Sequence, residues 1–336
     1  MHILTRCFAP RRFLAALLLL SALVAGEVAD ARHHLSEHGC AADAGGRDDN
    51  CTCANLHAVS FADPVPVAVA PLEHEREFTP LAGVVFAFDF IGHQINLKGF
   101  YERQELITTF KYLKEQHLIN GLAADIGANI GNHSLFFRNY YPKVFSFEPN
   151  PRTYKVLSLN AELSQDITCF NIGLSDSKRT AFLNINAGNV GGSHLSSDAT
   201  YRTSTQQEIK LDTLDNISDS FGGRLGLVKI DVEGHELAVL KGGTALLKRD
   251  KPIVLFEQQV ENFVDGKSPV YEYLKSVGYT KFSTVKQTSG ISLNLPKPLK
   301  KLVSILFNLI FGLSYQVEIL HDLPVDSYPF IIALQE

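Results

Sequence analysis

From residue 122 to residue 277, short apolar runs alternate with amphipathic stretches, and this rhythm leaves few folds open. Leu122–Ile126 reads as a strand, 134–140 as a helix and 143–147 as a strand. A helix at 153–163 and a strand at 167–172 follow. After a polar excursion over 175–208, Leu225–Ile230 is a strand, 236–248 a helix, 252–257 a strand and 270–277 a helix. Such alternation predicts an α/β fold, a doubly wound, mostly parallel sheet with helices on both faces. Ahead of it, 84–97 reads as a strand or hairpin, and Leu106, Phe110, Leu113 and Leu118 give helical spacing over 102–118. Behind it, 279–286 and 329–334 read as two last strands.

The turn after the first strand of this rhythm reads "ADIGANIG", residues 124–131. Ligands of open α/β sheets bind at the C-terminal ends of the strands, so the turn stands where a nucleotide-like cofactor would lie. The dinucleotide fingerprint fails, because Asn129 and Asn132 stand where its second and third glycines belong. No G-K-[ST] follows either, so the phosphate loop fails too. What remains is an acid, Asp125, opening a turn that carries Gly127, Asn129 and Gly131. A carboxylate there repels phosphate and tolerates an ammonium group. Glu148 ends the next strand ("VFSFEPN"), a position from which an acid accepts both hydroxyls of a ribose. Together these features describe a site for a nucleoside that bears an amino acid and no phosphate, and S-adenosylmethionine fits.

A second cluster, "KIDVEGHE", follows the strand at 225–230 and crowds Asp231, Glu233, His235 and Glu236 together. Asp231, at the strand end, is read as the acid that orients cofactor or substrate. Glu236 opens the next helix, where an acid suits the helix dipole. His235 is read as exposed in the turn. As proton acceptor for a reacting hydroxyl, His235, Glu233 and Asp231 all stay open. The acids share one strand-turn without a matching second cluster, so no metal site is expected.

"ADIGANIGNHSLFF", "VFSFEP" and above all "LVKIDVEGHELAVLKGG" resemble the FkbM-type methyltransferases of the S-adenosylmethionine-dependent class I, Rossmann-like fold. The resemblance covers roughly residues 80–336 and is clearest over 121–258. It implies a seven-stranded sheet whose last two strands form an antiparallel hairpin. It also implies methyl transfer to an oxygen, commonly a hydroxyl of a sugar, a glycan or a secondary metabolite. Matching positions place Asp125, Gly127, Asn129 and Gly131 at the methionine part, Glu148 at the ribose, Gly173, Leu174, Ser175 and Asp176 near the adenine, and Asp231 beside the reacting centre. A nicotinamide-dependent oxidoreductase, and a non-catalytic membrane-associated protein that keeps the fold, are the competing readings.

The rest of the chain reads as appendage. Arg6, Arg11 and Arg12 precede an apolar run over 13–25, and Ala29-Asp30-Ala31 resembles a cleavage site. Residues 1–31 are therefore expected to be a signal peptide or signal anchor of the secretory pathway, with a mitochondrial or other organelle presequence as the alternative. The run is short of the roughly 20 residues that span a bilayer. Residues 32–78 read as a low-complexity linker and 79–336 as the methyltransferase domain, with a C-terminal insert at 288–325. Within that insert, Lys297–Lys301 and the apolar stretch after it leave membrane association open through 297–313, as does 13–25. A net charge of −5 and a pI of about 6.2, without a basic patch, argue against nucleic acid as partner. Cys40, Cys51 and Cys53 match no standard zinc spacing, and Cys169 is expected in the core. Asn50, Asn132 and Asn216 are formal glycosylation sequons.

Overall fold

The structure is a computed structural model that describes residues 64–67, 83–86, 90–164, 166–184, 194–195, 206–288 and 314–335. The chain divides into two units. One, residues 1–58 with 287–314, lies almost wholly outside the described residues; the other comprises 59–286 with 315–336.

A short hairpin comes first: β1 (Pro64–Val67) pairs antiparallel with β2 (Gly83–Phe86). Helix α1 (Phe90–Lys98) follows, so the strand or hairpin expected over 84–97 holds only for its first residues. Helix α2 (Arg103–Glu115) agrees with the helical spacing and buries Leu106, Phe110 and Leu113. Then come β3 (Leu122–Ile126), α3 (Asn132–Phe137), β4 (Val144–Phe147), α4 (Pro151–Glu162) and β5 (Ile167–Phe170). The start of α4 is set locally. Asn150 Oδ1 accepts from the Arg152 N–H, and Pro151 needs no N–H at the first helical position.

The polar excursion is not a plain loop. It contains β6 (Gly173–Leu174), β7 (Arg179–Asn184), β8 (His194–Leu195) and β9 (Gln206–Asp212), which form a separate sheet in the order β6-β9-β7-β8. Its inward side chains, Leu183, Ile209 and Leu211, alternate with exposed polar ones and make a small cluster of their own.

Helix α5 (Leu214–Ser218) leads to β10 (Leu225–Ile230). The single helix expected over 236–248 is two: α6 (Glu236–Gly242) and α7 (Thr244–Asp250). The break falls at Gly242-Gly243. A Cβ on Gly242 would lie 1.9 Å from the Ser175 carbonyl oxygen, so the glycine lets the helix sit directly on the chain that leaves β6. The remaining elements are β11 (Ile253–Gln258), α8 (Pro269–Ser276), β12 (Lys281–Thr288), β13 (Ser314–Leu320) and β14 (Tyr328–Leu334).

Among the described residues the main sheet has eight strands, not seven, in the order β13-β12-β14-β11-β10-β3-β4-β5. Strands β11, β10, β3, β4 and β5 run parallel, and β14 is inserted antiparallel between β11 and β12. The strand period of two sends Ala124, Ile126, Phe145, Phe147, Val228 and Ile230 to one face, where α6, α7 and α8 cover them. Ala123, Val144, Leu227 and Leu255 go to the other face, under α2 and α3. The doubly wound sheet with helices on both faces and an antiparallel C-terminal strand is thus present. Cys169, expected in the core, is only half-buried, because β5 is the outermost strand on that side. The apolar stretches 13–25 and 297–313 lie outside the described residues. No helix among the described residues is long and apolar enough to cross a membrane.

Candidate functional site

Beneath the strand ends, a polar row crosses the apolar sheet. Strand register sets Ser146, Asp125 and Lys229 side by side on β4, β3 and β10. All three are buried, as is Ser134 on α3 above them. The Ser134 hydroxyl donates to Asp125 Oδ2 at 2.6 Å, and Lys229 Nζ lies 3.3 Å from Asp125 Oδ1. The same ammonium donates to the Gly127 carbonyl at 3.1 Å and lies 3.3 Å from Asp231 Oδ2. Burial alone would pull the lysine down. The carboxylates of Asp231 and Asp125 outweigh burial and hold it above its ordinary value.

Above this row, a cavity of about 210 Å³ opens over the C-terminal ends of β4, β3, β10 and β11. Glu148, at the end of β4, lies in its wall. One carboxylate oxygen accepts from the Asn129 N–H at 3.1 Å and the other from the Asn150 N–H at 2.8 Å. Burial pushes this carboxyl up to about 7, against those two hydrogen bonds. Gly127 and Asn129 bring the turn to the cavity, both with positive φ. A Cβ on Gly127 would meet the Asp231 carbonyl oxygen at 1.8 Å, so this glycine is required by the approach of two strand ends rather than by a ligand. Gly173 and Leu174 line the far end beside Phe147 and Leu211, which makes that end apolar.

The other end is acidic. Asp231 and Glu257 close the neighbouring strands β10 and β11, one position beyond the registered pair Ile230 and Phe256. The two carboxyl groups are hydrogen-bonded to each other, and both line the cavity with Glu102 and Glu233. Burial raises the Asp231 carboxyl, but Lys229 and His133, with the hydrogen bonds from Lys229 and Glu257, together outweigh it and hold the group below the usual carboxylate range. Burial, and then the Asp231 charge, push Glu257 up to about 8. Burial and the neighbouring Asp231 and Glu236 also raise Glu233, whose φ is positive.

Not every expected residue reaches the cavity. Asp125 lies behind its wall at 0% exposure, with its charge matched by Lys229 on the neighbouring strand. Gly131 begins α3 and packs on Leu157. Ser175 is buried beneath Gly242, and Asp176 faces solvent with its carboxylate 2.7 Å from Arg179. His235 is not exposed. It is half-buried, lines the cavity, and its Nε2 lies 2.9 Å from the Ser175 hydroxyl. Burial and the Arg179 charge hold it below the ordinary histidine value. Glu236 faces its own turn, where Oε1 accepts from the Gly234 N–H at 3.0 Å and the Val232 N–H at 3.3 Å. Asn132 is buried, and its amide bonds both backbone groups of Tyr101, so this sequon is closed in the folded chain.

Sequence reasoning missed Glu257, Lys229, Tyr101 and Glu102. The rhythm ended a strand at Glu257, which is the signal that marked Glu148, but no motif drew attention to it. No group of three His, Cys, Asp or Glu side chains set to hold a metal ion occurs among the described residues.

Residues 125–281 match the family model of the methyltransferase FkbM domain. The chain is 32% identical over 130 residues to the hexuronic acid methyltransferase AglP of Haloferax volcanii, a match that covers 37% of this chain and 50% of that protein. It is 31% identical over 156 residues to methyltransferase sdnD of Sordaria araneosa, covering 37% of this chain and 60% of that one. The chain therefore spans between half and three fifths of the length of these curated relatives. Among solved structures, the FkbM methyltransferase of Methylobacillus flagellatus KT aligns at 15% identity and a TM-score of 0.32, over 64% of this chain and 43% of that one.

Proposed function

Residues 125–281 are a methyltransferase FkbM domain, and from that premise we propose that the chain transfers the methyl group of S-adenosylmethionine to a hydroxyl of a glycan or a small molecule. The observation that carries the cofactor reading is the position of Glu148, a buried carboxylate in the cavity wall, beside a turn with no phosphate-binding pattern. Each of its oxygens keeps acceptor capacity beyond the single backbone bond it already takes, enough for two vicinal hydroxyls. Gly173 and Leu174, with Phe147 and Leu211, offer an apolar slot for a base, and Gly127 and Asn129 present the turn to the amino-acid end.

The cofactor would supply a methyl group already activated on a sulfonium. The chain's work is then positioning, which can contribute about 7–11 kcal/mol, together with removal of the hydroxyl proton. Asp231 is the base we favour. It lines the cavity and is kept ionised by Lys229, whereas His235 spends Nε2 on Ser175. Glu233, raised and largely exposed, would help orient the acceptor. AglP is named for a hexuronic acid and sdnD as a methyltransferase, and the first of these supports a sugar as the acceptor class here, without choosing among its oxygens.

The test is isothermal titration of the chain with S-adenosylmethionine, with NAD and ATP as controls. Binding of S-adenosylmethionine alone is expected, weakened about 10- to 100-fold in Glu148→Ala, since a hydrogen bond to a charged group contributes about 1.5–3 kcal/mol. Binding of NAD in its place, or none by the folded wild type, would remove the assignment.

A further inference from the structure

The acidic end of the cavity holds a pair of carboxyl groups, of which methyl transfer as read above uses Asp231 and leaves Glu257 without a part. Asp231 and Glu257 end neighbouring parallel strands, share a hydrogen bond, and with Glu102 and Lys229 surround one small void. Their positions follow the sheet order. Gly173 lies beyond β5, Glu148 ends β4, the glycine turn leaves β3, and Asp231 and Glu257 end β10 and β11. A nucleoside laid along these strand ends, base toward Gly173 and ribose on Glu148, carries its 5′ substituent toward the pair.

Resting on the cofactor reading above, we propose that Asp231 and Glu257 form a one-proton carboxyl pair that senses the charge on the cofactor's sulfur. The pair releases its proton when the sulfonium form binds and keeps it when the neutral thioether product occupies the site.

The electrostatics around Glu257 are fixed by few groups. Asp231 and Glu233 face it from the turn after β10, and Lys229 lies under Asp231. Glu102 faces it from the start of α2, paired 3.2 Å from His133 on α3, with Tyr101 beside it. On its own element, the Gln259 amide donates to its Oε1. Pro329 and Phe330, from β14, are uncharged. Lys229 gives the negative charge to Asp231, so the shared proton resides on Glu257, which burial and Asp231 push up to about 8. A cation placed against the pair favours its doubly ionised form. The chemistry then balances. The acceptor hydroxyl gives its proton to the pair as its oxygen takes the methyl carbon. The electrons of the broken C–S bond stay on sulfur, and the pair returns to its one-proton state beside a neutral product. The same cycle makes the product bind less tightly than the cofactor as pH rises toward 8.

The test needs no acceptor. The full chain is titrated calorimetrically with S-adenosylmethionine and with S-adenosylhomocysteine at pH 7, in buffers of different ionisation enthalpy, which counts protons released on binding. Glu148 meets the same ribose in both ligands, so its contribution cancels. We expect S-adenosylmethionine to release more, by an amount approaching about one proton per site. The affinity ratio of the two ligands should rise by up to about tenfold per pH unit below pH 8. Glu257→Gln should abolish the difference while S-adenosylhomocysteine still binds, which shows the site intact. Asp231→Asn should shrink the difference by removing the charge that raises Glu257. Equal proton counts for both ligands in the wild type, or a difference that survives Glu257→Gln, overturns the inference and leaves the cofactor reading standing. Binding of neither ligand overturns both.

Discussion

A lysine ammonium at 2% exposure has to be matched in charge, and Lys229 is matched by Asp125 on the neighbouring strand and by Asp231 while it also holds the Gly127 carbonyl. Replacing it leaves Asp125 buried with no counter-ion. Lys229→Met is expected to cost about 3–5 kcal/mol in urea unfolding, and adding Asp125→Asn should recover much of that. No recovery in the double variant would mean that the ion pair is not what the lysine supplies. The raised carboxyls give a second expectation. Glu148, at about 7 against an ordinary 4.5, holds in the folded state a proton that the unfolded chain has released, and Glu257 does the same up to about 8. Ligand-free stability should therefore fall as pH rises from about 4.5 and level off above about 8. Glu148→Gln should flatten that slope between about 4.5 and 7, and Glu257→Gln should flatten it over the whole range up to about 8. At this scale the sequence was half legible. Position at a strand end marked Glu148 and Asp231, and both line the cavity. Asp125 has the same marking, yet its side chain turns to the sheet's buried face, where Lys229 waits. That pairing is a cross-strand contact which no local pattern records.

Among the elements, α6 and α7 show how a backbone contact can outrank helical periodicity. Leu237 to Leu247 carry helical spacing throughout, but Gly242 must touch the Ser175 carbonyl, and the helix breaks beside it. A Gly242→Ala side chain meets backbone, which cannot step aside as a flexible side chain can. A loss of about 1–3 kcal/mol is expected, and the histidine signal of His235 should shift by NMR as Ser175 is displaced from it. Gly243→Ala meets first the Leu214 Cδ2 at 2.9 Å, the far end of a flexible side chain, and should cost distinctly less. Equal losses in the two variants would show that the Ser175 contact is not the constraint. The strands of the parallel sheet were legible because their apolar runs are continuous and end in polar turns. The small sheet of β6 to β9 was not, since exposed positions alternate along β9 and its partners lie far apart in the chain.

For the whole molecule, the consequential difference lies at the N-terminal edge. Residues 32–78 carry prolines and polar residues and read as linker, yet Pro64–Val67 forms β1. Proline is tolerated in a strand that has one partner, so composition hides an element of this kind. The hairpin matters because β2 is tied to the glycine turn. The Asn160 side chain accepts from the Val84 N–H at 2.6 Å and donates to the carbonyls of Val84 at 2.9 Å and Ile130 at 2.6 Å. Val85 and Phe86 then pack on Ile130 and Val156. One buried amide thus joins a segment outside the recognisable motif to the turn that carries Gly127 and Asn129. Asn160→Leu keeps the volume and removes all three hydrogen bonds, at about 1–3 kcal/mol for each backbone group left without a partner. In hydrogen exchange, the amides of 83–86 and 128–131 should lose protection together, while β10 and β11 keep theirs. Loss confined to 83–86 would show that the hairpin is held by the turn without supporting it in return. Joint loss, accompanied by weaker S-adenosylmethionine binding, would make β2 part of the unit that shapes the turn, although it lies ahead of residues 125–281.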